Sequence, residues 1–233
     1  NIADWPSMSP LPDHLLLQVV SVITDPVTTT DELIPSGETS SLRSNPLKLA
    51  EYTLSRKDPD YVGRAKAVDA MEKARLANPA DPELVARARA LFALCGLDIM
   101  QGAADLRNVG IGSTIFAVKP GDGSAREQAA SCQKVLGGWA NLAVEYATKR
   151  YRSNLINWGM LPFITDADLA ATLKVGDWLA VPNVRKAVQN AEPTILAYVV
   201  RENGSAEQIA LTLKDLTDDE RQIILDGCLI NFY

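Results

Sequence analysis

The segment PGDGSAREQAA, residues 120–130, contains the side chains whose types and spacing are best suited to chemistry. Ser124 and Arg126 lie two residues apart, behind two glycines and at the start of a helical pattern. A serine hydroxyl is a poor base in water, and it becomes useful where a positive environment stabilises its alkoxide. A helix N-terminus supplies unpaired N–H groups and about half a positive charge, and Arg126 adds a permanent full charge. The segment therefore predicts an anion-binding corner with a nucleophile or base at its centre.

Two other interpretations of the same segment have to be weighed. Ser124 is also a good helix N-cap, followed by Ala125, Arg126 and Glu127 in the first turn, and local geometry alone favours that role. A Walker-type phosphate loop requires a lysine after the last glycine and a Ser or Thr beside it. The segment has neither, which excludes that motif but not a simpler anion site at the helix N-terminus. The cap and the chemical role of Ser124 both stay open at this point.

The elements around this segment predict a mixed α/β domain. A strand, STIFAVK, leads into the two glycines, and a helix, AREQAASCQKVLG, follows them. Strand, helix and strand then alternate, which is typical of a sheet with parallel strands. The other predicted elements of this part are a buried first strand HLLLQVVSVIT, a strand ANLAVEYAT, a helix YRSNLINWG and a strand MLPFI. The stretch NIADWPSMSPLPDHLLLQ is expected to be an exposed approach to the first strand.

The middle of the chain predicts a helical insertion. Two segments open with Asp-Pro, at Asp58 and at Asp81, and Asp as N-cap followed by Pro is a strong helix start signal. An apolar stripe on the second helix predicts a packed helical hairpin over about residues 59–97; the stripe is Leu84, Ala88, Leu91 and Cys95. No second unit follows, which excludes a helical repeat protein. Residues 25–46, before the insertion, are expected to form a long polar loop, and loops of this length in a compact domain are usually functional or disordered.

The C-terminal third predicts antiparallel strands. Asn203-Gly204 separates PTILAYVV from EQIALTLK, which is a strong hairpin signal. A strand GDWLAV precedes this hairpin, and Thr217 with Glu220 forms a capping box that opens the last helix. The sequence thus predicts a parallel sheet extended by an antiparallel hairpin.

Composition limits the function classes. The 233 residues carry a formal net charge of −6 with no run of Lys or Arg, which argues against nucleic acid and anionic membranes as partners. No apolar run is long enough to span a bilayer and no signal peptide is evident. Cys95, Cys132 and Cys228 are far apart and His14 is the only histidine, so neither a metal site nor a disulfide framework is expected and a cytoplasmic, reducing location fits. Since the chain starts at Asn1, we expect a fragment or a processed piece.

GDGSAREQAA closely resembles the motif G-x-G-S-S-R-E-H-A-A of the swivel domain of the aconitase superfamily. TTTDELIPSGETSSLRSN resembles the family's T-T-D-H-I-x-x-x-G loop with the arginine that follows, and YRSNLINWGMLPF resembles its x-x-x-N-L-x-x-x-G-x-L-P-L turn. The final strands and helix match the tail of the same domain. The resemblance implies one domain, residues 1–233, with a helical insertion at about 58–98. It implies a swivelling β/β/α three-layer fold with a mainly parallel central sheet, an antiparallel hairpin and the inserted helical hairpin.

The resemblance also implies a function. Aconitase-like enzymes are hydro-lyases that remove water from a hydroxy di- or tricarboxylic acid and add it back. Three domains of the family carry a [4Fe-4S] cluster held by cysteines, and the swivel domain closes over the substrate. The chain resembles the swivel domain only, so the cluster would lie outside it, in partner domains on the same chain or on a large subunit. The isolated chain is expected to be inactive.

Three residues of this sequence match functional positions of the family. The resemblance makes Ser124 the catalytic base, which takes a proton from the carbon α to a carboxylate. It makes Arg126 and Arg43 carboxylate-binding residues, and bidentate donors of this kind suit a polycarboxylate substrate.

The chain departs from the family motifs at three positions. Ala125 replaces the second serine, Gln128 replaces the histidine after Glu127, and Glu32 replaces the histidine of the T-T-D-H loop. These departures put citrate itself in doubt as the substrate. They also keep two alternatives open, an RNA-binding regulator of the superfamily and a binding module with a decayed site.

Overall fold

The computed structural model describes residues 8–100, 102 and 104–233. The first seven residues of the predicted approach segment lie outside the described residues. The structure contains nine described strands: β1 His14–Ile23, β2 Thr28–Thr29, β3 Val109–Ala117, β4 Pro120–Asp122, β5 Gly138–Ala143, β6 Leu161–Ile164, β7 Trp178–Val181, β8 Ile195–Val200 and β9 Ala206–Leu211. The helices are α1 Thr30–Leu33, α2 Pro46–Ala50, α3 Tyr61–Ala77, α4 Pro82–Leu94, α5 Arg126–Val135, α6 Lys149–Asn157, α7 Leu169–Thr172, α8 Val184–Gln189, α9 Asp218–Asp226 and α10 Leu229–Phe232.

Seven strands form the main sheet, in the order β6-β5-β3-β1-β7-β8-β9. The pairs β1–β3, β3–β5 and β5–β6 are parallel, and β7, β8 and β9 each run antiparallel to their neighbours. Five of the seven strands therefore share one direction, which confirms the mixed α/β class with a mainly parallel sheet. All nine residues of β3 are buried, as expected of a parallel strand covered on both faces.

Helices cover both faces of the main sheet. Leu16 and Val20 of β1 pack into a core with α2, α3, α4 and α5, whereas Leu15 and Leu17 pack into a core with α7, α8 and α9. This split follows from the alternation of side chains along a strand. The arrangement differs in detail from the predicted β/β/α layers. Helices lie on both faces of the seven-stranded sheet, and the second sheet is only the small parallel pair β2–β4.

The helical insertion lies on the sheet. Asp81 caps α4 by accepting from the N–H groups of Glu83 and Leu84, as predicted. The predicted stripe on α4 does face the core, with Ala88 buried and Leu84, Leu91 and Cys95 partly buried against it. It missed the centre of the buried face, because the fully buried positions also include Val85 and Phe92. The reason is that α3 packs on β3 and β1 and α4 packs on β7, so the sheet selects which helix face is buried.

The predicted start of the first inserted helix was wrong. α3 begins at Tyr61 after Asp60, which makes no side-chain cap bond. Asp58, the predicted cap, instead accepts a hydrogen bond from Ser21 Oγ at 2.6 Å and pairs with Arg64. A tertiary contact therefore takes up the carboxylate that the local signal assigned to the helix.

The segment predicted as one long polar loop contains short elements. Thr29 and Glu32 form a capping box that starts α1, and a 3-10 turn spans Ser40–Leu42. Asn45 then caps α2 through the N–H of Lys48. These local side-chain bonds order short elements within residues 25–46, of which β2 and α1 lie against β4.

The C-terminal predictions are confirmed. β8 and β9 form an antiparallel hairpin in which Val200 faces Ala206, and Gly204 occupies the left-handed region at φ 83°. Thr217 and Glu220 cap α9 reciprocally. The Leu11 N–H donates to the Leu225 carbonyl at 3.1 Å, so the start of the described chain is fastened to this helix. No described helix combines the length and the apolar character that crossing a membrane requires.

Candidate active site

Two motif segments that are far apart in sequence meet at the glycine-rich loop, residues 121–124. β2 and β4 pair in parallel, with Thr28 opposite Pro120. Gly123 has φ 131°, and a Cβ atom there would collide with the Thr30 hydroxyl. The segment TTTDEL and the segment PGDGS, which the sequence places about ninety residues apart, therefore form one corner.

A third motif segment supports the same loop. The Thr148 hydroxyl donates to the Gly121 carbonyl at 3.2 Å and accepts from the N–H of Tyr151 at 3.1 Å. Thr148 is thus the N-cap of α6, and α6 begins directly beside the loop. Gly121 has φ 98°, and a Cβ atom there would overlap the ring of Tyr151. Only glycine fits both the backbone conformation and the space.

Ser124 is exposed and unbonded at the start of α5. Ala125, not Ser124, occupies the N-cap position, and no side chain caps this helix. Within the described residues the Ser124 hydroxyl makes no hydrogen bond. The structure therefore removes the capping interpretation and leaves a free hydroxyl beside a helix N-terminus.

Arg126, in the first turn of α5, is partly buried and lacks a partner. Its Nε atom is buried without a hydrogen bond, and none of the described carboxylates forms an ion pair with it. The only other buried side-chain polar atom without a partner among the described residues is Thr28 Oγ1. Unpaired buried polar atoms are rare and call for a water, an ion or a ligand. Both of them lie in the two segments that form the corner.

Arg43 is related to the loop 121–124 only indirectly, through the packing of neighbouring elements. It is an exposed residue between the 3-10 turn and α2, and it forms no ion pair with any described residue. α2 packs on α5, so one helix separates Arg43 from the helix that carries Arg126. The structure thus brings Ser124 and Arg126 together and relates Arg43 to them only through this packing.

The residues that differ from the family motif have identifiable surroundings. Glu32 accepts from the Thr29 N–H at 2.7 Å and lies 3.4 Å from Lys57 Nζ. Burial raises the pKa of the Glu32 carboxyl, but the hydrogen bonds from Thr29 and the nearby Lys57 together outweigh this effect. The pKa of Glu32 is therefore below its usual value. Glu32 is therefore a charged structural residue of α1. Ala125 is partly buried against the apolar core.

Sequence reasoning missed the supporting roles of Thr28, Thr148 and Tyr151. Their positions depend on tertiary contacts with the loop, which no local pattern encodes. The resemblance to the family motifs was a signal for the segments of Thr28 and Tyr151 only. Thr148 was placed in the predicted strand ANLAVEYAT, whereas it caps α6.

The described residues do not fit a metal centre or an iron–sulfur cluster. They contain no group of three or more His, Cys, Asp or Glu that could hold a metal ion. The cysteines Cys95, Cys132 and Cys228 are free and separate. Burial raises the pKa of the Cys132 thiol to about 12, so this cysteine stays protonated at neutral pH.

Comparison with known proteins confirms the resemblance that the motifs carry. The sequence is 25% identical over 236 residues to aconitate hydratase A from Rickettsia bellii. That match covers 97% of this chain and 26% of the relative, so the chain spans about a quarter of that protein's length. No protein-family model matches the chain.

The fold is similar to that of a chain of known structure. 3-Isopropylmalate dehydratase (leuD) from Methanocaldococcus jannaschii superposes with a TM-score of 0.54 at 22% identity, over 94% of this chain and 92% of that chain. The fold and the sequence match are together consistent with the resemblance to the swivel domain of the aconitase superfamily. Both relatives carry the names of enzymes that add or remove water.

Proposed function

We propose that this chain is the swivel domain of an aconitase-like hydro-lyase acting on a hydroxy di- or tricarboxylic acid. The observation that carries the proposal is Arg126, whose buried Nε lacks a partner beside the free hydroxyl of Ser124. A guanidinium without a counterion at a helix N-terminus is suited to a ligand carboxylate. The names of the two relatives, a hydratase and a dehydratase, support the reaction type.

Each residue has a distinct role in the proposed reaction. In dehydration the Ser124 alkoxide takes the proton from the carbon α to a substrate carboxylate while the hydroxyl on the adjacent carbon departs, which a Lewis acid outside this chain would assist. In hydration both steps run in reverse. Arg126 binds that carboxylate with its planar donors and favours the alkoxide of Ser124 by its charge. The charge that develops on the carboxylate in the transition state strengthens this contact, which lowers the barrier. In this proposal Arg43 binds a second carboxylate of the substrate.

The rest of the enzyme lies outside this chain. The [4Fe-4S] cluster that the resemblance implies needs donors that the described residues lack, so cluster-bearing domains are the proposed partner. The comparisons support two arrangements: the match spans a quarter of aconitate hydratase A but nearly all of the solved dehydratase chain. The partner is accordingly either a preceding part of the same polypeptide or a separate large subunit.

The test compares Ser124→Ala and Arg126→Lys in the complete, cluster-loaded enzyme against a panel of hydroxy di- and tricarboxylates. Loss of a general base lowers kcat by about 10²- to 10⁴-fold, so we expect a loss in that range for Ser124→Ala. Arg126→Lys loses the bidentate contact, and we expect KM to rise by about tenfold or more. Ser205→Ala, at the exposed β8–β9 turn, is the matched control and should leave both constants unchanged.

The outcomes separate the candidate functions. Full activity of Ser124→Ala would show that another group is the base. Carboxylate binding without turnover by the unmodified enzyme would favour the non-catalytic binding module instead.

A further inference from the structure

Three buried side chains close a ring of hydrogen bonds behind the loop. Gln133 Nε2 donates to the Tyr151 hydroxyl at 3.0 Å, and this hydroxyl donates to Asn141 Oδ1 at 2.7 Å. Asn141 Nδ2 in turn donates to Gln133 Oε1 at 2.7 Å. None of the three residues is more than 1% exposed. The bonds run in one direction around the ring, and successive bonds of this kind strengthen one another.

The ring joins the three elements that surround the site. Gln133 is on α5, which begins at Arg126, and its Nε2 also donates to the Ala129 carbonyl at 2.8 Å. Asn141 is on β5 and Tyr151 is in the first turn of α6. Because each member contributes both a donor and an acceptor to the ring, the orientation of each side chain is fixed by the other two.

Tyr151 links the hydrogen-bond ring to the loop 121–124. Its hydroxyl belongs to the hydrogen-bond ring, and its aromatic face lies against Gly121 so closely that no Cβ atom fits between them. Its backbone N–H bonds the Thr148 hydroxyl, which bonds the Gly121 carbonyl. Gly121 is thus held by the same tyrosine on its Cα side and, through Thr148, at its carbonyl.

We propose that Tyr151 is a positioning residue, which transmits the fixed geometry of the Gln133–Asn141–Tyr151 ring to the loop 121–124 and so sets the direction of Ser124 and Arg126. Gln133 and Asn141 act through their hydrogen bonds with Tyr151. The consequence for catalysis rests on the proposed function; the ordering of the loop does not.

The first test is hydrogen–deuterium exchange over residues 119–127 in the chain without ligand. Tyr151→Phe keeps the aromatic contact with Gly121 and removes the hydroxyl. Gln133→Met breaks the ring of hydrogen bonds and leaves the Tyr151 side chain intact. We expect loop exchange to become at least threefold faster in both variants. Phe163→Leu, in the core on the opposite face of the sheet, serves as a control of similar stability loss and should leave loop exchange unchanged.

Two results would overturn the positioning role. One is loop exchange in Tyr151→Phe and Gln133→Met that matches the Phe163→Leu control. The other concerns the unmodified chain: nuclear magnetic resonance should detect a slowly exchanging Tyr151 hydroxyl proton and contacts between the Tyr151 ring and Gly121. Absence of both signals would contradict the proposal even if the variants fail to fold.

The second test separates this inference from the proposed function. Tricarballylate, a tricarboxylate that carries no hydroxyl to eliminate, is titrated while the Arg126 Nε–H resonance is followed. The unmodified chain should bind it, and Tyr151→Phe should bind it about threefold to tenfold more weakly. If tricarballylate does not shift the Arg126 resonance of the unmodified chain, the proposed substrate class fails. The hydrogen–deuterium exchange experiment still decides the positioning role of Tyr151.

Discussion

Lys134 is a buried amine at the far end of the helix that carries Arg126. Its Nζ lies 4.1 Å from the centre of the Trp139 ring, and only 8% of the residue is exposed. Burial lowers the pKa of Lys134 to about 8, against smaller opposing effects of Cys228 and Glu72. The protonated amine is therefore destabilising in the folded chain at neutral pH.

This pKa difference predicts a pH-dependent gain from Lys134→Met. Below pH 8 the amine is charged in both states and the cost of burial is complete. Between pH 8 and about 10.5 the unfolded chain binds more protons, so the stability of the unmodified chain rises with pH. With the lost cation–π contact subtracted, we expect Lys134→Met to raise the free energy of unfolding by about 2 kcal/mol at pH 7. The gain should be much smaller at pH 10. Urea unfolding at both pH values measures this.

The exposed Lys66→Met is the control for the loss of an amine. Its effect should be small and similar at pH 7 and pH 10. A gain for Lys134→Met that stays constant with pH would show that the Lys134 pKa is not lowered by burial.

A buried ion pair within α3 is hydrogen-bonded to the sheet. Arg75 donates to Glu72 at 2.6 and 2.7 Å, and Glu72 also accepts from the Ile111 N–H of β3 at 2.8 Å. Arg75 donates in addition to the Leu106 carbonyl at 3.0 Å. Removing one partner of a buried pair leaves an uncompensated charge, which typically costs about 3–5 kcal/mol.

We therefore expect Glu72→Ala to lower the free energy of unfolding by about 3–5 kcal/mol. The matched comparison is Glu51→Ala, which removes one half of the half-exposed Lys66–Glu51 pair and should cost less than about 1 kcal/mol. Denaturant unfolding of the two variants gives the comparison directly. Equal losses would mean that the Glu72–Arg75 pair contributes no more than a surface contact.

Helix-cap signals in the sequence were correct where the capping side chain had no competing tertiary partner. Asp81 and Thr217 cap their helices as the sequence indicated, whereas Asp58 is taken up by Ser21 and Arg64. The same distinction applies to the site. Ser124 and Arg126 could be placed at a helix start from glycines and helical spacing, but Tyr151, which lies behind their loop, could not.

Charge is distributed unevenly over the whole molecule. The chain carries 29 Asp and Glu against 23 Lys and Arg, yet residues 119–153 contain six basic and three acidic residues. Lys149 and Arg150 are exposed in the first turn of α6, whose cap Thr148 bonds the loop. Two exposed cations beside the loop raise the local concentration of anions there, and salt screens this effect.

The double variant Lys149→Glu with Arg150→Glu should accordingly weaken tricarballylate binding about threefold to tenfold at 10 mM salt, with a much smaller effect at about 300 mM. Titration at the two salt concentrations measures this. Lys174→Glu with Lys186→Glu changes the net charge equally on segments that do not adjoin the loop. Equal weakening by the two double variants would show that only the total charge matters.

The attachment of the first described residues to the last helices has a consequence for the way the molecule can be built into something larger. Asn231 Nδ2 donates to the Met8 carbonyl at 3.0 Å, so both ends of the described chain leave the surface at one place. The chain that precedes Met8 and the chain that follows Asn231 therefore start from neighbouring points of the fold.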